Sequence, residues 1–130
     1  MTSKGKRVIL KKEVFDSILD YGRACHPREG ILLLRGKVQG GNVVIDEVVV
    51  PPFSIRGFRS SGFPLYMLPL DFSIIGIAHS HPSGNLKPSI ADLNNFYGEI
   101  MVIVAYPYMS SRDIAVYDRQ GERLSFELVL

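Results

Sequence analysis

The stretch Ser73–Asp92, SIIGIAHSHPSGNLKPSIAD, changes its period twice, and each change marks an element boundary. Ser73 to Ala78 is an apolar run of strand length that leads directly into His79-Ser80-His81. Pro82, Gly84 and Pro88 then punctuate a turn, and Ser89 opens a helical spacing through Ile90, Leu93 and Phe96 that reaches about Gly98. A strand, a tight turn and a helix are therefore expected in succession. Side chains two apart on a strand share a face, so His79 and His81 point the same way. Ser89 and Asp92, three apart at a helix start, share a face as well.

Upstream, Lys12 to Ala24 carries a helical stripe at Val14, Phe15, Ile18 and Leu19. Gly30 to Leu34 reads as a strand buried on both faces, because nothing in it alternates. Gly40-Gly41-Asn42 marks a turn into a second strand from Val43 to Val50, and the two make a hairpin. From Pro51 to Pro69 prolines and glycines break any period, yet Phe53, Phe58, Phe63, Leu65 and Tyr66 lie among them. Long loops of this kind in compact domains are usually functional, which makes Phe58, Phe63 and Tyr66 candidate substrate contacts on a flap. Downstream, Met101 to Tyr106 is an apolar strand, and Ile114–Tyr117 with Leu124–Leu128 flank a hairpin link at Asp118–Gly121. The order predicts an α+β domain, one sheet with few helices, across residues 1–130.

Two imidazoles and a carboxylate suit catalytic zinc, since three protein ligands leave the fourth tetrahedral position open. Each part has an ordinary structural reading beside it. A His-x-His pair alone is more often packed or on the surface, and Ser89-x-x-Asp92 also spells a helix capping box. The coincidence of strand end, turn and helix-borne carboxylate favours the metal, and capping can coexist with it. Cys25 beside His26 suggests a nucleophile and base, but adjacent residues seldom place side chains for proton transfer. Cys25 is read instead as a small buried hydrophobe.

The segment from His79 to Asp92 resembles the signature of the JAMM (JAB1/MPN+) zinc metallopeptidases, and in length the chain resembles their small archaeal single-domain members. Pro27-Arg28-Glu29-Gly30-Ile31-Leu32-Leu33-Leu34-Arg35-Gly36 resembles the family's upstream segment, in which a glutamate precedes a buried strand; Leu32 stands where many members carry glycine. The resemblance implies a JAB/MPN-type fold: a curved, mixed, mostly antiparallel sheet flanked by helices in a cytidine-deaminase-like layer arrangement. It implies one Zn2+ per chain held by His79, His81 and Asp92, with Glu29 activating a water and later protonating the leaving amine. Ser89 would stabilise the oxyanion and Ser80 would support the site. The implied substrates are ubiquitin-like small modifier proteins, cleaved after their C-terminal Gly-Gly as conjugates or precursors. The resemblance also embraces catalytically silent MPN scaffolds and the bacterial JAB group named for DNA repair. The latter usually carries an additional N-terminal helical DNA-binding region.

Composition closes other routes. The net charge of +2 is too small to argue for nucleic acid, and the basic residues Lys4, Lys6, Arg7, Lys11 and Lys12 read as a solvated tail and helix start. With 46% hydrophobic and 22% charged residues the chain is far from a disordered composition. One cysteine excludes an intramolecular disulfide and a four-cysteine zinc site. No apolar run approaches the roughly 18 to 20 residues that span a bilayer, and the charged N-terminus is not a signal peptide, so the cytoplasm is the expected compartment. A zinc deaminase is disfavoured because its His-x-Glu and Pro-Cys-x-x-Cys are missing. The oligomeric state is left open by the sequence.

Overall fold

In a computed structural model of the chain, residues 7–51 and 73–130 are described. They build one eight-stranded sheet with two α-helices. The chain opens with β1 (Arg7–Lys11), whose Val8 and Leu10 are buried between exposed Arg7 and Lys11. The sequence reading of a solvated tail and helix start is corrected at Arg7 and Lys11, which belong to a strand. Lys12 does open the helix, and Lys4 and Lys6 lie outside the described residues. Arg7 and Lys11 are the polar rims of a short strand, and Arg7 pairs with Glu127. Helix α1 (Lys12–Cys25) follows at once and buries Val14, Phe15, Ile18, Leu19 and Gly22 on one stripe. Gly22 is glycine for space: a Cβ there would stand 2.6 Å from the Tyr108 ring.

β2 (Ile31–Gln39) and β3 (Asn42–Val49) form the expected hairpin, turning through Gly40 and Gly41 at φ 54° and 86°. β4 (Ile74–His81) runs antiparallel to β2 and continues through both histidines. Helix α2 is shorter than the periodicity suggested, Ile90–Asn94, because the Asn95 side-chain amide caps the Ala91 carbonyl at 2.9 Å. Phe96 then packs against the buried group Met101, Ile103, Ala115 and Tyr117. β5 (Ile100–Ala105) is buried throughout and lies parallel to β4. β6 (Ile114–Tyr117) and β7 (Arg123–Leu124) close a hairpin whose turn is held by Asp118 Oδ1, accepting from the Gln120 and Glu122 amides at 2.9 Å each.

The final apolar run does not stay in that hairpin, as the sequence had suggested. β7 ends at Leu124, and after Ser125 the chain enters β8 (Phe126–Val129), which pairs in parallel with β1. In the order β7-β6-β5-β4-β2-β3-β1-β8, strands one residue apart in sequence occupy opposite edges of the sheet. The sheet must therefore curl until its borders nearly meet. Four of its seven pairings are antiparallel and three parallel, so it is mixed, as the resemblance implied.

Within the curl, α1 packs with Val8, Leu10, Leu32, Leu34, Ile45, Ala78, Val102 and Val116 into the main core. Full burial of each such aliphatic side chain contributes about 1.5–3 kcal/mol before entropy is charged against it. Ile31, Leu33, Ile74 and Ile77 pack separately, on the face away from α1. One irregularity in β4 decides which residues share that outer face. Arg35 pairs with Ile74 and Leu34 with Gly76, so Ile75 is an extra residue, a bulge. Ile75 and Ala78 consequently both face the α1 core, while Ile77 faces outward. By strand alternation His79 and His81 face outward with Ile77.

Candidate metal centre

His79 and His81 end β4 on the outer face, and Asp92 comes from the third residue of α2. The helix start is fixed by a complete capping box: Ser89 Oγ accepts from the Asp92 amide at 2.9 Å, and Asp92 Oδ2 accepts from the Ser89 amide at 2.9 Å. The same carboxylate reaches both imidazoles. Asp92 Oδ2 lies 3.1 Å from His81 Nε2, and Asp92 Oδ1 lies 3.8 Å from His79 Nδ1. The three side chains that the sequence nominated as ligands are thus brought together.

They are also withdrawn from water. His79 and Asp92 are each 1% exposed and His81 is 8% exposed. Among the described residues, both ring nitrogens of His79 and Oδ1 of Asp92 are buried with no hydrogen-bond partner. A buried polar atom without a partner costs about 1–3 kcal/mol, so three at one place call for a ligand. His81 is oriented differently: its Nδ1 donates to the Asn85 carbonyl at 2.7 Å, which leaves Nε2 as the nitrogen aimed at Asp92. A neutral His81 would turn a lone pair toward a carboxylate. A proton or a cation between the two relieves that repulsion.

The titration directions agree. Burial lowers the His79 pKa despite the Asp92 carboxylate nearby, which keeps the ring in the neutral, ligating form. Burial also acts to lower His81, but hydrogen bonds with Asp92 and Asn85 and the charges of Asp92 and Glu29 outweigh it and raise the pKa. Asp92 is drawn down to about 2: burial opposes ionisation, and the hydrogen bonds from His81 and the Ser89 amide overcome it. Its folded pKa is below the unfolded value, so the unfolded chain binds the proton first as pH falls. The contribution of Asp92 is whole above about pH 4 and is lost down to about pH 2. In chelator-treated protein, urea midpoints measured from pH 5 to 2 should fall more steeply for wild type than for Asp92→Asn; equal slopes would contradict the assignment.

Does zinc fit? Two donors of one tetrahedral zinc, each about 2.0–2.2 Å from the ion, stand roughly 3.3–3.6 Å apart. His81 Nε2 and His79 Nδ1 stand 3.1 and 3.8 Å from different oxygens of Asp92, distances near that spacing for a carboxylate that offers one oxygen to each ring. Among the described residues no three histidine, cysteine, aspartate or glutamate side chains already enclose a common point, and His81 and Asp92 spend donors on each other. The donors are gathered without being caged, and the unpartnered atoms match what a cation would take up.

Glu29 sits just before β2 and is exposed. The β2–β4 ladder ends where Ile31 pairs with His79, and the same register carried two residues further would set Glu29 opposite His81. Its negative charge acts on both histidines. Ser80 fixes this junction from the next strand: its Oγ accepts from the Gly30 amide at 2.7 Å and its amide donates to the Gly30 carbonyl at 3.0 Å. Both bonds act on the backbone next to Glu29. Sequence reasoning missed the Asn85 carbonyl, a backbone acceptor that carries no residue signature.

Cys25 is half-buried and lies beside Tyr21, which corrects its reading as a buried hydrophobe. His26 Nδ1 meets the Tyr108 hydroxyl at 2.9 Å and its ring stacks on Tyr106, so each of the two neighbours has its own partner. The candidate flap residues Phe58, Phe63 and Tyr66 lie outside the described residues. Among the described residues no helix is long and apolar enough to cross a membrane.

Comparison with known proteins gives the same direction. The family Prok-JAB, described as prokaryotic homologs of the JAB domain, matches residues 11–120. A relative in Haloferax volcanii, named "Probable metalloprotease", is 32% identical over 117 residues, which span 85% of this chain and 72% of that one. A JAB1/MPN domain protein from Archaeoglobus fulgidus superposes with a TM-score of 0.69 at 31% identity, covering 93% of this chain and 98% of its own. A structure described as a metalloprotease-like zinc site in the proteasome and signalosome, JAMM, gives 0.67 at 28% identity, covering 95% and 98%.

Proposed function

The chain belongs to the prokaryotic homologs of the JAB domain, and from this we propose that it is a zinc peptidase cleaving after the C-terminal Gly-Gly of a ubiquitin-like protein. His79, His81 and Asp92 would hold one zinc ion. The observation that carries this reading is the buried group of unpartnered atoms, both nitrogens of His79 and Oδ1 of Asp92. The described zinc site of the similar JAMM structure and the name of the Haloferax relative support it.

Bound there, zinc would supply Lewis acidity, bringing the pKa of a water to around 7 and polarising a substrate carbonyl. The chain's own residues do the rest. Glu29, on the same face and open to solvent, takes the proton of the attacking water and returns it to the leaving amine. Ser89 Oγ already accepts from the Asp92 amide, so its hydroxyl hydrogen is available for the carbonyl oxygen as that atom gains charge. Asn85 holds the His81 ring through Nδ1, and Ser80 holds the junction beside Glu29.

A Gly-Gly tail suits a channel that admits no side chain beside the metal, and an extended tail can be held by main-chain hydrogen bonds as an added strand. The complete ligand set weighs against a silent scaffold. Incubation with a ubiquitin-like fusion provides the test. Cleavage after Gly-Gly is expected, lost on chelation, restored by zinc, and reduced at least about tenfold when the glycines become leucines. Unchanged cleavage of the leucine version would remove the proposed specificity, and cleavage indifferent to chelation would remove the metal.

A further inference from the structure

We infer that Tyr117, on β6, is a positioning residue for the metal site. The inference rests on the zinc reading above and deepens it. Tyr117 is buried, and its ring packs in the outer-face group with Met101, Ile103 and Ala115, against which Leu86 also rests. Its hydroxyl donates to the Leu86 carbonyl at 2.7 Å. Leu86 is half-buried in the loop that joins His81 to α2. The carbonyl immediately before it, that of Asn85, receives the Nδ1–H of His81 at 2.7 Å.

A connected path follows. The Tyr117 hydroxyl fixes the Leu86 carbonyl, the adjoining backbone presents the Asn85 carbonyl, and that carbonyl selects the tautomer and rotation of the His81 ring. With Nδ1 holding the hydrogen, Nε2 is the nitrogen presented to Asp92 at 3.1 Å. Within the loop, Ser83 Oγ accepts from the Asn85 amide at 3.2 Å, Asn85 Oδ1 from the Lys87 amide at 2.9 Å, and the His81 carbonyl from the Gly84 amide at 3.1 Å. Those bonds shape the turn locally. The Tyr117 and Leu86 side chains tie it to the sheet. Outer groups that orient a metal-ligating histidine commonly govern metal affinity by about 10- to 100-fold.

Tyr117→Phe removes the hydroxyl and keeps the ring that fills the packing group, so the fold survives. Two measurements test the inference. Zinc affinity, read by competition with a chromophoric chelator, should weaken about tenfold or more in the variant. In metal-free protein, the His81 Nδ1 proton, followed by NMR, should exchange with water faster than in wild type. A variant with zinc affinity within about twofold of wild type and an unaltered His81 proton would overturn the role assigned to Tyr117. Wild type that binds no zinc would overturn the metal reading and this inference together, an outcome set apart because it appears before any substitution is made.

Discussion

Glutamine in place of Glu29 should lower kcat on a Gly-Gly-tailed fusion by about 10²- to 10⁴-fold with the zinc content unchanged. The expectation follows from position. The charge of Glu29 acts on both histidines, and the ladder that pairs Ile31 with His79, carried two residues further, would set Glu29 opposite His81. There it is exposed, unlike the carboxylate of Asp92, which is buried between the two imidazoles. An exposed carboxylate beside a buried donor set can exchange protons with substrate and solvent, and it is not required to complete the set. Glutamine keeps the size and hydrogen-bonding atoms of the side chain and removes only its ability to take a proton. Metal analysis and steady-state kinetics on the same preparation separate the outcomes. Zinc lost along with activity would make Glu29 a ligand, and turnover near wild type would strip it of the role of base.

The second large effect is expected at His79 and has two signs. His79→Leu should abolish zinc binding and turnover, yet stabilise the chelator-treated protein by about 1–3 kcal/mol. An imidazole that is 1% exposed with both nitrogens unpartnered is a burden on the metal-free fold. Leucine has nearly its volume and no polar atom to desolvate. Burial already lowers the pKa of His79, so the ring enters the folded state neutral and its cost is that of unmet hydrogen bonds. Urea unfolding of chelated wild type and variant measures the difference. A structural histidine would behave in the opposite way, losing stability on substitution and leaving zinc affinity intact.

The legible parts of this molecule were those written locally. His79 and His81 share a face through strand periodicity, and Ser89-x-x-Asp92 is both capping box and ligand spacing, so each pair could be read within a few residues. α1, the β2–β3 hairpin and β5 were equally local. What escaped depended on distant partners. β1 reads as three apolar residues among charges, and only pairing with β3 on one side and β8 on the other makes it a strand. The apolar pattern of the last strand continues past β7 and so reads as part of that hairpin, whereas its destination is the far edge of the sheet. The placement of Glu29 opposite His81 required the β2–β4 register, and the Tyr117 tether required β6 to lie beside β5 with the loop above it. The bulge at Ile75 left no mark in composition.

That extra residue uncouples the face of the histidines from the length of chain that leads into them. From Gly76 onward β4 is held in register by β2 on one side and β5 on the other. The loss of one residue at the strand's entrance would therefore close the bulge and leave both imidazoles on the outer face. An error of one in the arriving chain is absorbed before it reaches the donor set. The freedom is in number and not in kind: Ile74, Ile75 and Ile77 are buried, and a Cβ at Gly76 would stand 2.3 Å from the Ile100 carbonyl oxygen.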